Sequence, residues 1–265
     1  VKEQSQLIVS NNIADAAEIN QRFFDGNGLL RGGTSVGNLL SGEAARSLMT
    51  ISTLRDNSGQ QRPHLGYDLS LVFLNPYLLT RAVVLTIWDL ILEFYQATRQ
   101  RIRNVQPRVN RLNRFYPFLR AALNIFIRDV AANAVILDVM RGSPAIYMTF
   151  MGYDEIAHHA GPDSSDALNS LKGFDRALAR ILDVIGRKAP RPYEVFILSD
   201  HGQSFGATFR QRTGHTLGEF LDNIIDGKSH VSEVSEGQNI RMHVTAVLAE
   251  MESLHGLSGD GHTRA

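Results

Sequence analysis

Cysteine is absent from all 265 residues, which excludes disulfides and any metal held by thiolates. Net charge is also absent: 27 Lys and Arg balance 27 Asp and Glu, so no global field draws the chain to nucleic acid or to a membrane, and nucleic-acid-specific binding is not expected. No uncharged apolar run reaches spanning length, and no signal-peptide pattern opens the chain. Val1 reads as the cut end of a larger protein, and the chain by itself is expected to be soluble. What remains is ample apolar material, 43% of the residues, for a sizeable core.

Two stretches organise that material. Ala145 to Pro162, AIYMTFMGYDEIAHHAGP, begins with Ile146 to Met151, which reads as a buried strand. Asp154 follows, with His158 four residues on. If the chain turns helical there, both side chains share one face and can reach one cation. Tyr193 to Gly202, YEVFILSDHG, repeats the design: Val195 to Leu198 predicts a strand that delivers Asp200 and His201 where the backbone leaves the sheet. Gly202 permits a sharp exit. Carboxylate oxygen and imidazole nitrogen suit zinc, manganese or iron. Between the stretches, Ser164 and Ser165 offer an N-cap. Leu168, Leu171, Phe174, Leu178, Ile181, Leu182 and Ile185 then recur at helical spacing, which predicts a right-handed strand, helix, strand crossover.

These residues carry a resemblance. Asp154, His158, Gly161 and Pro162 resemble the D-x-x-x-H-x-x-G-P signature of the type I phosphodiesterase/nucleotide pyrophosphatases of the alkaline phosphatase superfamily. Ser199 to Gly202 resembles that group's second metal signature. The resemblance implies two divalent cations, zinc or else manganese, with Asp154 and His158 on one and Asp200 and His201 on the other. His159 is then a neighbour only. It also implies an α/β, alkaline-phosphatase-like three-layer sandwich, here partial and carrying a helical insertion. The segment GGTSVGNLLSGEA and the helix after it look like a bacterial branch whose longer members carry membrane segments, so the full-length parent is expected at a membrane.

The resemblance demands a Ser or Thr nucleophile. Thr34 and Ser35, in the Gly-rich loop Arg31 to Gly42, are the candidates within this chain; the branch it resembles carries its nucleophile, and its first metal-binding Asp, in earlier segments. That loop was open to two uses, a phosphate cradle ahead of a helix at Glu43 to Leu54 or a plain connection. Upstream, Leu7 to Ser10 predicts a strand and Ile13 to Phe24 a helix closed by the turn Asp25 to Gly28.

Four regions result: 1–68, the start of the catalytic α/β domain; 69–141, a helical Arg-rich insertion; 142–225, the metal-binding core; and 226–265, a helix at about 236–256 and a polar tail. In the insertion, a short strand and a turn at Asn75-Pro76 lead into a long amphipathic helix, a core or interface element, with a transmembrane helix as the alternative that its charges disfavour. Eight arginines and no acid lie between Arg99 and Arg128. They predict either a surface for anionic membrane or phosphorylated substrate, or a solvated face. Phe118 to Met140 resumes helical spacing and stops at Arg141 to Pro144. Arg210 and Arg212 are candidates to meet substrate oxygens. His215 reads as a loop histidine, and His64 as exposed.

The expectation is a metal-dependent hydrolase of a phosphate ester or phosphodiester. The competing one is a catalytically inactive, membrane-associated binding module with a vestigial metal site. A sulfatase-like or phosphomutase-like relative is a third.

Overall fold

Three short runs pair into a parallel sheet of order β2-β1-β3: β1 Thr34–Val36, β2 Arg46–Leu48 and β3 Ile146–Met148. In this computed structural model residues 18, 19, 22, 26–53, 76–104, 121–207 and 209–224 are described. The strand expected at Leu7 to Ser10, most of the helix at Ile13 to Phe24, the loop 55–68 with His64, the strand before Pro76 and the helix at 236–256 lie outside them.

The chain divides into two compact units, one of Val1–Leu69, Ser143–Thr149 and Val234–Ala265, the other of Ser70–Gly142 and Phe150–Glu233. In the first, β1 is central. Thr34 pairs with Arg46 on one side and with Ile146 on the other. Gly33 leads into it because a Cβ there would lie 2.0 Å from the Ala145 carbonyl oxygen, so only glycine allows β1 and β3 to approach.

The carboxyl ends of all three strands are tied by side chains. The Asn38 amide donates to Ser35 Oγ at 2.8 Å and to the Tyr147 carbonyl at 3.0 Å, and its oxygen accepts from Thr149 Oγ1 at 2.7 Å. Thr50 Oγ1 donates to the Ser35 carbonyl at 3.2 Å. Ser35, Asn38 and Thr50 are buried, so these bonds replace water rather than compete with it.

This unit corrects two expectations. Glu43 to Leu54 is not a helix: it contains β2 and a 3-10 turn at Ile51–Thr53, and Glu43 and Met49 have positive φ values of 61° and 51° that no α-helix accommodates. The Gly-rich loop commits part of its backbone to the sheet. Gly33, Thr34 and Gly37 donate their N–H groups to the carbonyls of Leu30, Ala145 and Leu48. Ile146 to Met151 also yields a shorter strand than expected, half-exposed rather than buried.

The second unit is helical. It contains α1 Pro76–Ile102, a π-helical turn at Ala122–Ile127 leading into α2 Arg128–Arg141, α3 Gly152–Ala160, α4 Ser165–Lys188, α5 Phe209–Thr213 and α6 Leu217–Ile224. Proline opens α1, where its missing N–H costs nothing. Gly142, at φ 76°, closes α2 by donating to the carbonyls of Asp138 and Val139. Ser164 Oγ caps α4 by accepting the Ala167 N–H at 3.1 Å.

A buried carboxylate organises this unit. Asp129 on α2 takes Arg81 from α1, Arg180 Nη2 from α4 at 3.4 Å, and its neighbour Arg128 Nε at 3.8 Å. Burial pulls the Arg128 guanidinium below its ordinary pKa, and Asp129 opposes that pull. Arg128 reaches α4 at Gly173, where a Cβ would lie 2.1 Å from Nη1. The buried face of α4 is therefore built of small residues, Ala167, Ser170, Gly173 and Ala177 with Ile181, while Leu168, Leu171 and Leu182 are exposed. The predicted apolar stripe is split: Ile181 is buried, Phe174, Leu178 and Ile185 are half-buried, and only its leucines are exposed at Leu168, Leu171 and Leu182.

In α1 the buried positions include charged ones, while Leu85, Leu90 and Leu92 are half-buried. Asp89 and Glu93 are buried, and the charge of Asp89 acts on Arg128. Val84, Ile87, Trp88, Ile91, Phe94 and Tyr95 face outward instead. Val195 to Leu198 is a further correction: it forms no strand, and Phe196, Ile197 and Leu198 are more than 70% exposed. β-Propensity reports fit to a pleated, half-buried surface, and without a neighbouring strand the run has none to fit. The strand, helix, strand crossover thus lacks its return strand among the described residues.

Two measurements follow. Asp129→Ala takes the carboxylate from the buried Arg128 guanidinium and the part-exposed Arg81 and Arg180, and should cost about 3 kcal/mol in urea unfolding. Asn38→Ala, which removes the bonds to Ser35 Oγ, the Tyr147 carbonyl and Thr149 Oγ1, should cost about 1–3 kcal/mol; a loss within error for either would refute the role given to it.

Candidate functional site

α3 is held from beneath. Ile156 and Ala157 are buried against Ala167 of α4, with Tyr153 and Ala160 packed beside them. Tyr153 also donates its hydroxyl to the Pro162 carbonyl at 3.0 Å, and Gly161, at φ 96°, turns the chain towards α4. Since one face is committed to this packing, Asp154 and His158, four residues apart, fall on the open one. His158 Nε2 lies 3.3 Å from Asp154 Oδ1, as the spacing predicts.

The second stretch reaches the same carboxylate. His201 Nε2 is 3.7 Å from Asp154 Oδ1 and 3.8 Å from Asp200 Oδ2. Local bonds set this turn: Ser199 Oγ donates to the His201 carbonyl at 2.7 Å, and the His201 N–H donates to Asp200 Oδ1 at 3.0 Å. His201 Nδ1 lies 3.2 Å from the Gly202 carbonyl. When Nδ1 carries the proton and donates it there, Nε2 is left with a bare lone pair on the side of Asp154.

Gln203 was not anticipated as a site residue. Its amide donates to Asp154 Oδ1 at 2.7 Å, and nothing in the sequence beyond its place two residues after His201 marks it. Asp154 is held below the ordinary carboxylate range. The His158 hydrogen bond is the largest cause, partial burial opposes it, and Gln203 and His201 add smaller contributions in the same direction as His158.

The donors suit a cation in kind and in pairwise spacing. Two ligands of a tetrahedral zinc with bonds of about 2.0–2.1 Å stand roughly 3.3–3.4 Å apart. Asp154 and His158 meet that spacing, while the two His201 distances are slightly longer. Among the described residues, however, no three carboxylate or imidazole groups surround one point as a complete site. The chain presents donor pairs. His215 is exposed in the turn between α5 and α6, where its carbonyl accepts from Thr213 Oγ1 at 3.0 Å, and His230, His243 and His255 lie outside the described residues.

Thr34 and Ser35 are not poised for attack. Both lie within β1 and are buried, Ser35 fully. Ser35 Oγ is engaged with Asn38, Thr50 and the Leu40 carbonyl. Thr34 Oγ1 is buried without a hydrogen-bond partner.

The Asp154 assignment can be checked by titration. The carboxyl should titrate below the ordinary range in NMR, and His158→Ala should move it upward. Because the folded value is the lower one, the contribution of this contact to stability is present above the unfolded value and is lost as pH falls through the folded value. His158→Ala should remove that acid-side loss, and an Asp154 titration indifferent to the substitution would overturn the assignment.

The description of the type I phosphodiesterase / nucleotide pyrophosphatase family matches residues 89–254, a span that includes both Asp-His stretches. No curated protein and no solved structure matches the chain. With more than half of its length matched, this chain belongs to the type I phosphodiesterase/nucleotide pyrophosphatase family.

Proposed function

We propose that the chain supplies part of the metal-binding machinery of a phosphoric ester hydrolase acting on a phosphate ester or phosphodiester. The family is typically dependent on divalent metal, and the small parallel sheet agrees with the α/β fold that membership implies. The observation that carries the proposal is the meeting of two separate sequence stretches at one carboxylate: Asp154 Oδ1 faces His158 at 3.3 Å and His201 at 3.7 Å.

In this reading Asp154 and His158 hold one cation and Asp200 and His201 the other, zinc or manganese in each case. When bound, such a pair polarises the phosphoryl oxygens and neutralises the charge that develops on them. The protein's own part is to orient donors. α3 fixes the i, i+4 pair, the Gly202 carbonyl selects the His201 nitrogen that stays free, and Gln203 holds the Asp154 carboxylate in place. Arg210 and Arg212, on the exposed helix α5, supply positive charge for ester oxygens. Thr34 and Ser35 are buried within β1, which gives neither of them support as the nucleophile.

The inactive-module reading rests on the Arg-rich segment. Of its described arginines, Arg99, Arg101 and Arg103 are exposed at the end of α1 while Arg128 is buried beside Asp129, and no described helix is long and apolar enough to cross a membrane.

Elemental analysis separates the readings. The purified chain should retain zinc or manganese through dialysis, and Asp200→Ala with His201→Ala should weaken retention by more than about tenfold. Hydrolysis of bis-p-nitrophenyl phosphate, measured alongside, reports whether the chain by itself turns over. Equal metal content in the chain and the double variant would sink the assignment.

A further inference from the structure

The outward face of α1 has no use in the site described above. Along it Val84, Ile87, Trp88, Ile91, Phe94 and Tyr95 are exposed, and from Tyr77 to Tyr95 the exposed positions include no charged side chain. Isolated exposed hydrophobics are ordinary, whereas a continuous apolar face along most of a 27-residue helix is not. The spacing alternates three and four residues, Val84, Ile87, Ile91, Phe94, which is the seam by which one helix packs against another.

We infer that α1 pairs antiparallel with α1 of a second copy of this chain, about a twofold axis near Ile91. The area is sufficient. With Tyr77, Val83 and Ile102 included, the exposed apolar side chains offer about 900 Å² per copy, or about 1,800 Å² in all, within the range of about 1,200–2,000 Å² typical of stable interfaces. Charge fixes the direction. Arg99, Arg101 and Arg103 cluster at one end of the helix with no acid on its exposed face. Parallel pairing would stack the arginines of both copies, whereas antiparallel pairing places them at opposite ends and opposes the two helix dipoles. The twofold arrangement makes the stripe its own partner, so a single sequence suffices.

Charge also favours a second copy over a lipid surface. A helix lying in a bilayer interface carries Lys and Arg along its polar face. The opposite face of α1 instead buries Asp89 and Glu93, and the basic residues of its exposed side are gathered at one end.

Trp88 is the only tryptophan in the chain, so its emission reports on this stripe alone. Sedimentation velocity on the intact chain across about 1–100 µM should show a monomer converting to a dimer. Trp88 emission should shift to shorter wavelength in step. Ile87→Glu with Ile91→Glu should raise the dimer dissociation constant by at least about thirtyfold and keep the emission at long wavelength, with helix content by circular dichroism unchanged. Should that variant fold poorly, Ile91→Cys in the cysteine-free background should give a disulfide-linked dimer under mild oxidation. Leu171→Cys, exposed on α4, should not. The inference is overturned by a monomer at every concentration, by short-wavelength Trp88 emission in the monomer, which would mean that the chain covers the stripe itself, or by a shift seen only with phosphatidylglycerol vesicles. None of these outcomes bears on metal retention, so the two proposals fail separately.

Discussion

The helical unit depends on one buried anion. Asp129 collects arginines from three helices, and the requirement that those guanidinium groups lie near it decides which way the helices face. α4 must present small residues so that Arg128 can enter at Gly173, which turns Leu168, Leu171 and Leu182 outward. α1 turns Asp89 and Glu93 inward, and Ile87, Trp88, Ile91 and Phe94 follow the rest of the helix outward. A buried charge without its partners is far costlier than an exposed leucine, so electrostatics overrides the apolar pattern here. The same rotation brings Ala167 beneath α3, and that contact leaves Asp154 and His158 on the open side.

The chain contains two polar clusters of opposite character. The one at the carboxyl ends of the strands is closed: Ser35, Asn38 and Thr50 are buried and bonded to one another, with Thr149 joined to them through Asn38, which stiffens the sheet. The one around Asp154 is open. Its groups are accessible to solvent, His158 stands from Asp154 at ligand-to-ligand spacing and His201 slightly beyond it, and the carboxylate also accepts from Gln203. Closed networks support folds, whereas open ones with convergent lone pairs suit a charged guest.

How much could be read in advance follows from the range of each interaction. The meeting of Asp154 with His158 was legible because helical geometry alone fixes it, and so were the stop at Gly142 and the Ser164 cap, which involve only residues a few positions apart. Gln203 on Asp154, and Asn38 bridging to Thr149, were not legible, since they join residues far apart in sequence through side chains that carry no local pattern. The apolar periodicity of α1 and α4 correctly predicted helices but did not show which side of each would be buried most deeply. Periodicity measures the arrangement of apolar residues around an axis, and the buried side was chosen by a charge cluster that periodicity does not measure. Val195 to Leu198 failed for a related reason: a strand needs a partner as well as a propensity.

Gly173 concedes something to make room for Arg128. A glycine in mid-helix weakens the intrinsic tendency to coil by about 1 kcal/mol relative to alanine, and the deficit lies at the point where α4 meets α2. Docking against α2 therefore supplies at Gly173 some of the order that the helix's own sequence withholds there, since the backbone at that point is held by a neighbour's guanidinium.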